Sequence, residues 1–229
     1  MRTRTRFVKF SSLEAHGEIG VIVARLAIAT NDIATANSAM KYFRELQSPA
    51  MQHIKQGALL YFCRLQCGHL NEGVETIRQV RDCPQLEGFI EKCSQPANEA
   101  FRELSACLPG GPNHSKFESR IGWVRNRVAF HYDPNDVKWA IEDRANPRTP
   151  SKKLSSMTAG EDIHSTRFEF GDALLDSIVC RRFWNIPLSA DVRAEADRLG
   201  EWCFTKCVEY LKFAEEFVPV SLRGLGVIL

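Results

Sequence analysis

The side chains best able to do chemistry in this chain of 229 residues are crowded into one run, RNRVAFHYDP, where Arg125, Asn126, Arg127, His131, Tyr132 and Asp133 precede Pro134. A guanidinium grips phosphate oxygens through a planar fork of N–H donors, and an imidazole moves a proton near neutral pH. The cluster therefore suits a phosphodiester substrate, with Asn126 orienting either the phosphate or the ring. The same run also reads as a helix end, where Arg and His interact well with exposed carbonyls and the negative end of the dipole.

The element that carries the run is a helix. Ser115 can cap it, and Phe117, Ile121, Val124, Val128 and Tyr132 recur at helical spacing until Pro134 disfavours helix at Asp133. If that helix is regular, Arg125 and His131 lie on opposite margins of the apolar stripe, about 120° apart and ~9 Å along the axis. They do not converge on one cylinder. A second copy of the chain, related by a two-fold axis, brings the arginine of one protomer towards the histidine of the other, so the chemistry belongs to a homodimer.

Three further helical stretches precede it. The first, from about Ser12 to Leu46, is one long helix or two in line with a joint near Thr30-Asn31-Asp32. The second starts at Ser48-Pro49 and continues to Val80. The third opens at Pro84, resumes after Pro96 and stops at Pro109-Gly110-Gly111-Pro112. Asn135 to Arg144 adds a short helical piece, and Asp172 to Trp184 and Ser189 to Val218 return to helical periodicity. The polar, proline-bearing segment from Asn146 to Gly160 reads as a loop, and Arg167 to Phe170 as a short strand. The expected fold is all-α: an antiparallel four-helix-type bundle with additional C-terminal helices and a short strand pair. Residues 1–145 form the bundle that carries the motif, and 146–229 supply a loop and helices packed on it.

The run RNRVAFH resembles the arginine, polar residue and histidine signature of the HEPN superfamily. These are small helical bundles that include metal-independent ribonucleases of bacterial toxin–antitoxin, abortive-infection and CRISPR systems. Arg125, Asn126 and His131 match the signature in order. The resemblance implies attack by an RNA 2′-hydroxyl on the adjacent phosphate, with His131 handling a proton and Arg125 holding the phosphate, without a metal or other cofactor. Arg127 and Tyr132 are then candidate substrate contacts. It also implies a homodimer, a cytoplasmic phage-defence or toxin role, and a nucleotidyltransferase-type antitoxin as partner. Some members of the superfamily only bind nucleotides or proteins, so a non-catalytic helical interaction protein is the alternative. A second, looser match, Arg64 to His69, lacks the polar residue after its arginine and contains Gly68.

A net charge of +2 gives no whole-molecule attraction to nucleic acid, so a local basic cleft must supply any such affinity. The longest apolar run, Ile19 to Ala29, contains Arg25 and is about half the length that spans a bilayer, so no membrane association is expected. The eight cysteines read as reduced and mostly buried. Cys63-x-x-x-Cys67-x-His69 and Cys203-x-x-x-Cys207 lack the two-residue gap of zinc knuckles, and a shared zinc would require the two pairs to pack together. Arg181-Arg182-Phe183-Trp184 has the composition of a stacking platform for single-stranded RNA, and equally of an amphipathic helix end. Asp32 is a further candidate to orient Arg125 or His131, or else a solvent-facing residue at a helix joint.

Overall fold

The structure is a computed structural model that describes residues 7–47, 52–129, 132–149, 155–157 and 168–228. The chain is all-α. Its helices are α1 (Phe10–Glu14), α2 (Gly17–Glu45), α3 (Gln52–Arg81), α4 (Pro84–Ile90), α5 (Gln95–Ser105), α6 (His114–Phe117), α7 (Pro134–Ala145), α8 (Glu169–Asp176) and α9 (Val192–Gly224). Two of them continue as wider π-helical turns. α6 runs on through Glu118–Gly122 and Arg125–Ala129, and α8 through Ser177–Phe183. Among the described residues the only β pairing is an isolated antiparallel bridge between Val8 and Ile228.

The expected strand at 167–170 is corrected: Glu169 and Phe170 form the first turn of α8, and Arg167 lies outside the described residues. The polar and aromatic alternation there is simply the start of an amphipathic helix that continues through Ala173, Leu174 and Leu175. Of the two readings of this stretch the single long helix holds: α2 is continuous across Thr30-Asn31-Asp32, and Thr30 satisfies its hydroxyl by donating to the Leu26 carbonyl at 2.7 Å. The break falls earlier, before Gly17, whose φ of +53° favours a residue without a Cβ. At the other end α9 continues through Pro219 to Gly224, beyond the expected limit at Val218.

The chain divides into two compact units that are discontinuous in sequence. The first comprises 1–34, 69–115 and 205–229. Its core is built from Ile22, Leu26 and Ile33 of α2, Leu70, Val74 and Ile77 of α3, Leu104 of α5, and Tyr210, Phe213 and Phe217 of α9. Phe213 sits between Phe101 and Phe217, with ring centroids 4.9 and 4.8 Å away. Tyr210 donates to the Leu26 carbonyl at 3.3 Å, which meets the polar demand of a fully buried phenol. By length and composition α2 is apolar enough to cross a membrane. Its residues Ile22, Val23, Leu26, Ala29 and Ile33 are nevertheless a buried core stripe.

The second unit comprises 35–68 and 116–204 and holds the motif. Here Phe117, Ile121, Val124 and Val128 form the buried stripe of the motif helix at the spacing read from the sequence. Ile178, Val179, Cys180 and Phe183 from the π-helical turn after α8 are buried in the same unit. A smaller cluster of Cys180, Ile186 and Leu199 packs with Trp184, Ala190 and Ala196.

Candidate functional site

The helix that bears the motif is not regular. Its last turn, Arg125–Ala129, is π-helical, a widened turn found frequently at functional sites. Val128 and Ala129 remain buried while Arg125 and Asn126 come to the surface, where Arg125 Nη1 donates to Asn126 Oδ1 at 2.8 Å. The hydrogen bond orients the guanidinium and the amide together. His131 and Phe130 lie outside the described residues, so the structure places Arg125 and Asn126 of the three signature residues.

Tyr132 departs from expectation. Its spacing predicts the last member of the buried stripe, yet it is 67% exposed. Tyr132 is itself not helical, and Asp133 begins the next helix by capping α7, its carboxylate accepting from Asn135 N at 2.8 Å and Asp136 N at 3.4 Å. These backbone N–H bonds, followed by the nearby Arg127 charge, hold the Asp133 carboxyl below the usual carboxylate range.

Arg127 is engaged within the protein. Its Nη2 lies 3.2 Å from Asp133 Oδ2 and its Nε 2.7 Å from Asp136 Oδ2. Asp136 is fully buried, and Arg182 Nε approaches its other oxygen at 2.9 Å. The N–H bonds are off line at both contacts, so the attraction is coulombic with little aligned hydrogen bonding. Two guanidinium groups thus neutralise one buried carboxylate, the compensation a charge needs away from water. Asp133 N also approaches the Arg127 carbonyl at 3.4 Å. Residues on either side of 130–131 are therefore tied to each other, Arg127 being the common member.

Arg64 holds the motif helix from beneath. It is 5% exposed and donates from Nη1 to the Val128 carbonyl at 2.8 Å, one of the last-turn acceptors that a helix cannot satisfy itself. This arginine belongs to the looser sequence match, whose histidine, His69, lies in the first unit 3.5 Å from Asp32. Asp32 is accordingly occupied with His69 there. Sequence reasoning missed Arg64 as a support for the motif, since nothing local couples residues 64 and 128.

The Arg181-Arg182-Phe183-Trp184 tetrad is turned inward. Arg181 Nε lies 3.2 Å from Asp143, Arg182 stacks on Trp139 at 5.3 Å, Phe183 is buried, and Trp184 Nε1 donates to the Arg120 carbonyl at 3.1 Å. A hollow of about 430 Å³ adjoins Tyr132 and is lined also by Arg64, Val137, Phe168, Asp172 and Ile178. Its volume is in the range of small-molecule sites, ~300–1,000 Å³.

None of the eight cysteines is in a disulfide and six are buried, as their reading from sequence expects. Cys67 is in hydrogen-bond contact with both Cys63 and Cys203 in the second unit, whereas His69 and Cys207 belong to the first. Among the described residues no group of three or more His, Cys, Asp or Glu side chains is arranged to hold a metal ion. No protein-family model matches the chain, and neither a curated protein nor a solved structure matches it.

Proposed function

We propose that the protein is a metal-independent endoribonuclease of toxin or phage-defence type, acting in the cytoplasm as a homodimer. The observation that supports this reading is the surface pairing of Arg125 with Asn126 on a π-helical turn, at the positions where the HEPN-like signature requires them. In this reading Arg125 holds the scissile phosphate and stabilises its developing charge. His131 of the other protomer accepts the 2′-hydroxyl proton or donates one to the leaving 5′-oxygen. Asn126 steadies the guanidinium. Tyr132 offers an exposed ring on which a base can stack, beside the hollow. Arg127, a substrate contact on sequence grounds, acts chiefly as a positioning residue that fixes the chain around His131 through Asp133 and Asp136. The HEPN-like resemblance points to a nucleotidyltransferase-type antitoxin as its partner.

The test is cleavage of labelled single-stranded RNA in excess chelator by the purified protein and by Arg125→Ala and His131→Ala variants. The reading expects loss of cleavage in both variants with dimerisation intact. Equal cleavage by all three proteins would overturn it. The alternative, a non-catalytic helical interaction protein, is favoured by the exposed large apolar side chains of the same unit, Trp123, Tyr132 and Ile141 among them. It expects partner binding that survives both substitutions and no cleavage by any form.

A further inference from the structure

We propose that Cys63, Cys67 and Cys203 form a peroxide-oxidisable thiol relay that ends in a Cys67–Cys203 disulfide joining α3 to α9. The proposal is independent of the nuclease reading. Its basis is a row of three thiols within one unit. Cys63 and Cys67 stand one turn apart on the same face of α3, and Cys203 of α9 meets Cys67. Cys67 is the middle member and is buried, as is Cys203, while Cys63 is only part-buried and so is the entry point.

The surroundings distinguish the three. The Cys67 thiol donates to Cys63, and this contact, with the Arg64 and Arg44 charges behind it, lowers the Cys63 pKa despite burial. Contact with Cys203 and then with Cys63, together with burial, raises that of Cys67 well above the ordinary thiol. Cys180 has only the smaller opposing pull of the Arg144 charge. Burial first, and then the Asp176 carboxylate 3.4 Å away, push its thiol up, which makes it a bystander.

The chemistry balances with hydrogen peroxide as the oxidant. The Cys63 thiolate attacks the peroxide O–O bond, giving a sulfenic acid and releasing hydroxide. Cys67 then attacks the Cys63 sulfur, forming a Cys63–Cys67 disulfide and releasing water. In total two thiols lose two electrons and two protons, and one peroxide becomes two waters. Side chains four apart on a helix have Cβ atoms about 5–6 Å apart, whereas a relaxed disulfide needs ~3.5–4.5 Å. This first bond is therefore strained. Attack by Cys203 on the Cys67 sulfur relieves the strain and expels Cys63 as the better thiolate leaving group, restoring the entry thiol.

The experiment uses the whole protein titrated with hydrogen peroxide, quenched with N-ethylmaleimide and digested with trypsin. Cleavage after Arg64 separates Cys63 (peptide 56–64) from Cys67 (65–78), and cleavage after Arg198 and Lys206 isolates Cys203 in 199–206. The expected product is peptide 65–78 joined to 199–206, with the intact protein lighter by two hydrogens. In Cys203→Ser the link stops at 56–64 with 65–78. In Cys67→Ser no link forms, and Cys63 accumulates as a sulfenic acid that dimedone traps. Full alkylation of Cys63 and Cys67 after a peroxide dose that oxidises Cys83 would overturn the proposal, as would a wild-type disulfide between any other pair. The wild-type map decides the matter even if a variant folds poorly.

Discussion

Replacing Asp136 by Asn tests whether Arg127 and Arg182 are struts. The substitution keeps the size of the side chain and removes its charge. Asp136 is 0% exposed, with guanidinium nitrogens at 2.7 and 2.9 Å. Removing one partner of a buried ion pair costs about 3–5 kcal/mol, because the charge left behind has lost both water and partner. Here the abandoned groups are better placed. Arg127 and Arg182 keep 38% and 29% exposure, Arg127 keeps Asp133, and Arg182 keeps the Asn135 carbonyl at 3.3 Å and the face of Trp139. The low end applies, about 3 kcal/mol, or a fall in Tm of roughly 6–12 °C for a chain of this size. Arg127→Ala leaves Asp136 paired with Arg182, so it loses about 1–2 kcal/mol. Arg125→Ala removes a half-buried side chain hydrogen-bonded to Asn126, so it is expected to cost less than Asp136→Asn, about 0.5–1.5 kcal/mol, and on the proposed nuclease reading to abolish cleavage. Differential scanning calorimetry of the three variants, in one buffer and at one protein concentration, gives the order. An Asp136→Asn protein that melts within about 2 °C of the parent would refute the reasoning, as would an Arg125→Ala protein as unstable as Asp136→Asn.

Three other perturbations follow from the first unit. A Cβ on Gly73 would stand 2.7 Å from Tyr210 Cε2, so Gly73→Ala is expected to destabilise the protein by urea titration. The overpacking costs about 1–3 kcal/mol, which outweighs a helix-propensity gain of about 1 kcal/mol. Gly88→Ala in α4, with nothing within 4 Å of the new Cβ, is expected to stabilise instead. Burial raises the Tyr210 pKa well above the ordinary phenol range. The folded chain then keeps a proton that the unfolded chain loses above about pH 10, so stability is full below that pH and declines above it. Tyr210→Phe is expected to flatten that alkaline decline in urea midpoints, and an unchanged slope would contradict the assignment.

Helical periodicity made part of this architecture readable. The stripe Phe117, Ile121, Val124 and Val128 is buried as its spacing requires, because a 3.6-residue period is a local property. Tyr132 falls on the same period but not in the stripe, since it is itself not helical and Asp133 already caps α7. A widened turn at Arg125–Ala129 has no residue signature of its own. Side-chain pairings across long separations were equally hidden. Asp136 with Arg182, Arg64 with Val128, and Cys67 with Cys203 are set by how elements pack, which no window along the chain reports. The basic and aromatic tetrad at 181–184 has the composition of an RNA platform, but two buried or half-buried carboxylates on α7 draw its arginines inward.

The composite site is tested most directly by mixing two dead proteins. Arg125→Ala and His131→Ala chains, unfolded and refolded together in equal amounts, form mixed dimers in which one of the two sites has both an intact arginine and an intact histidine. Cleavage should return to about one quarter of the parent level, since half of the dimers are mixed and each has one working site of two. A mixture that sedimentation shows to be dimeric and exchanged, yet remains as inactive as its components, would contradict a site shared between protomers.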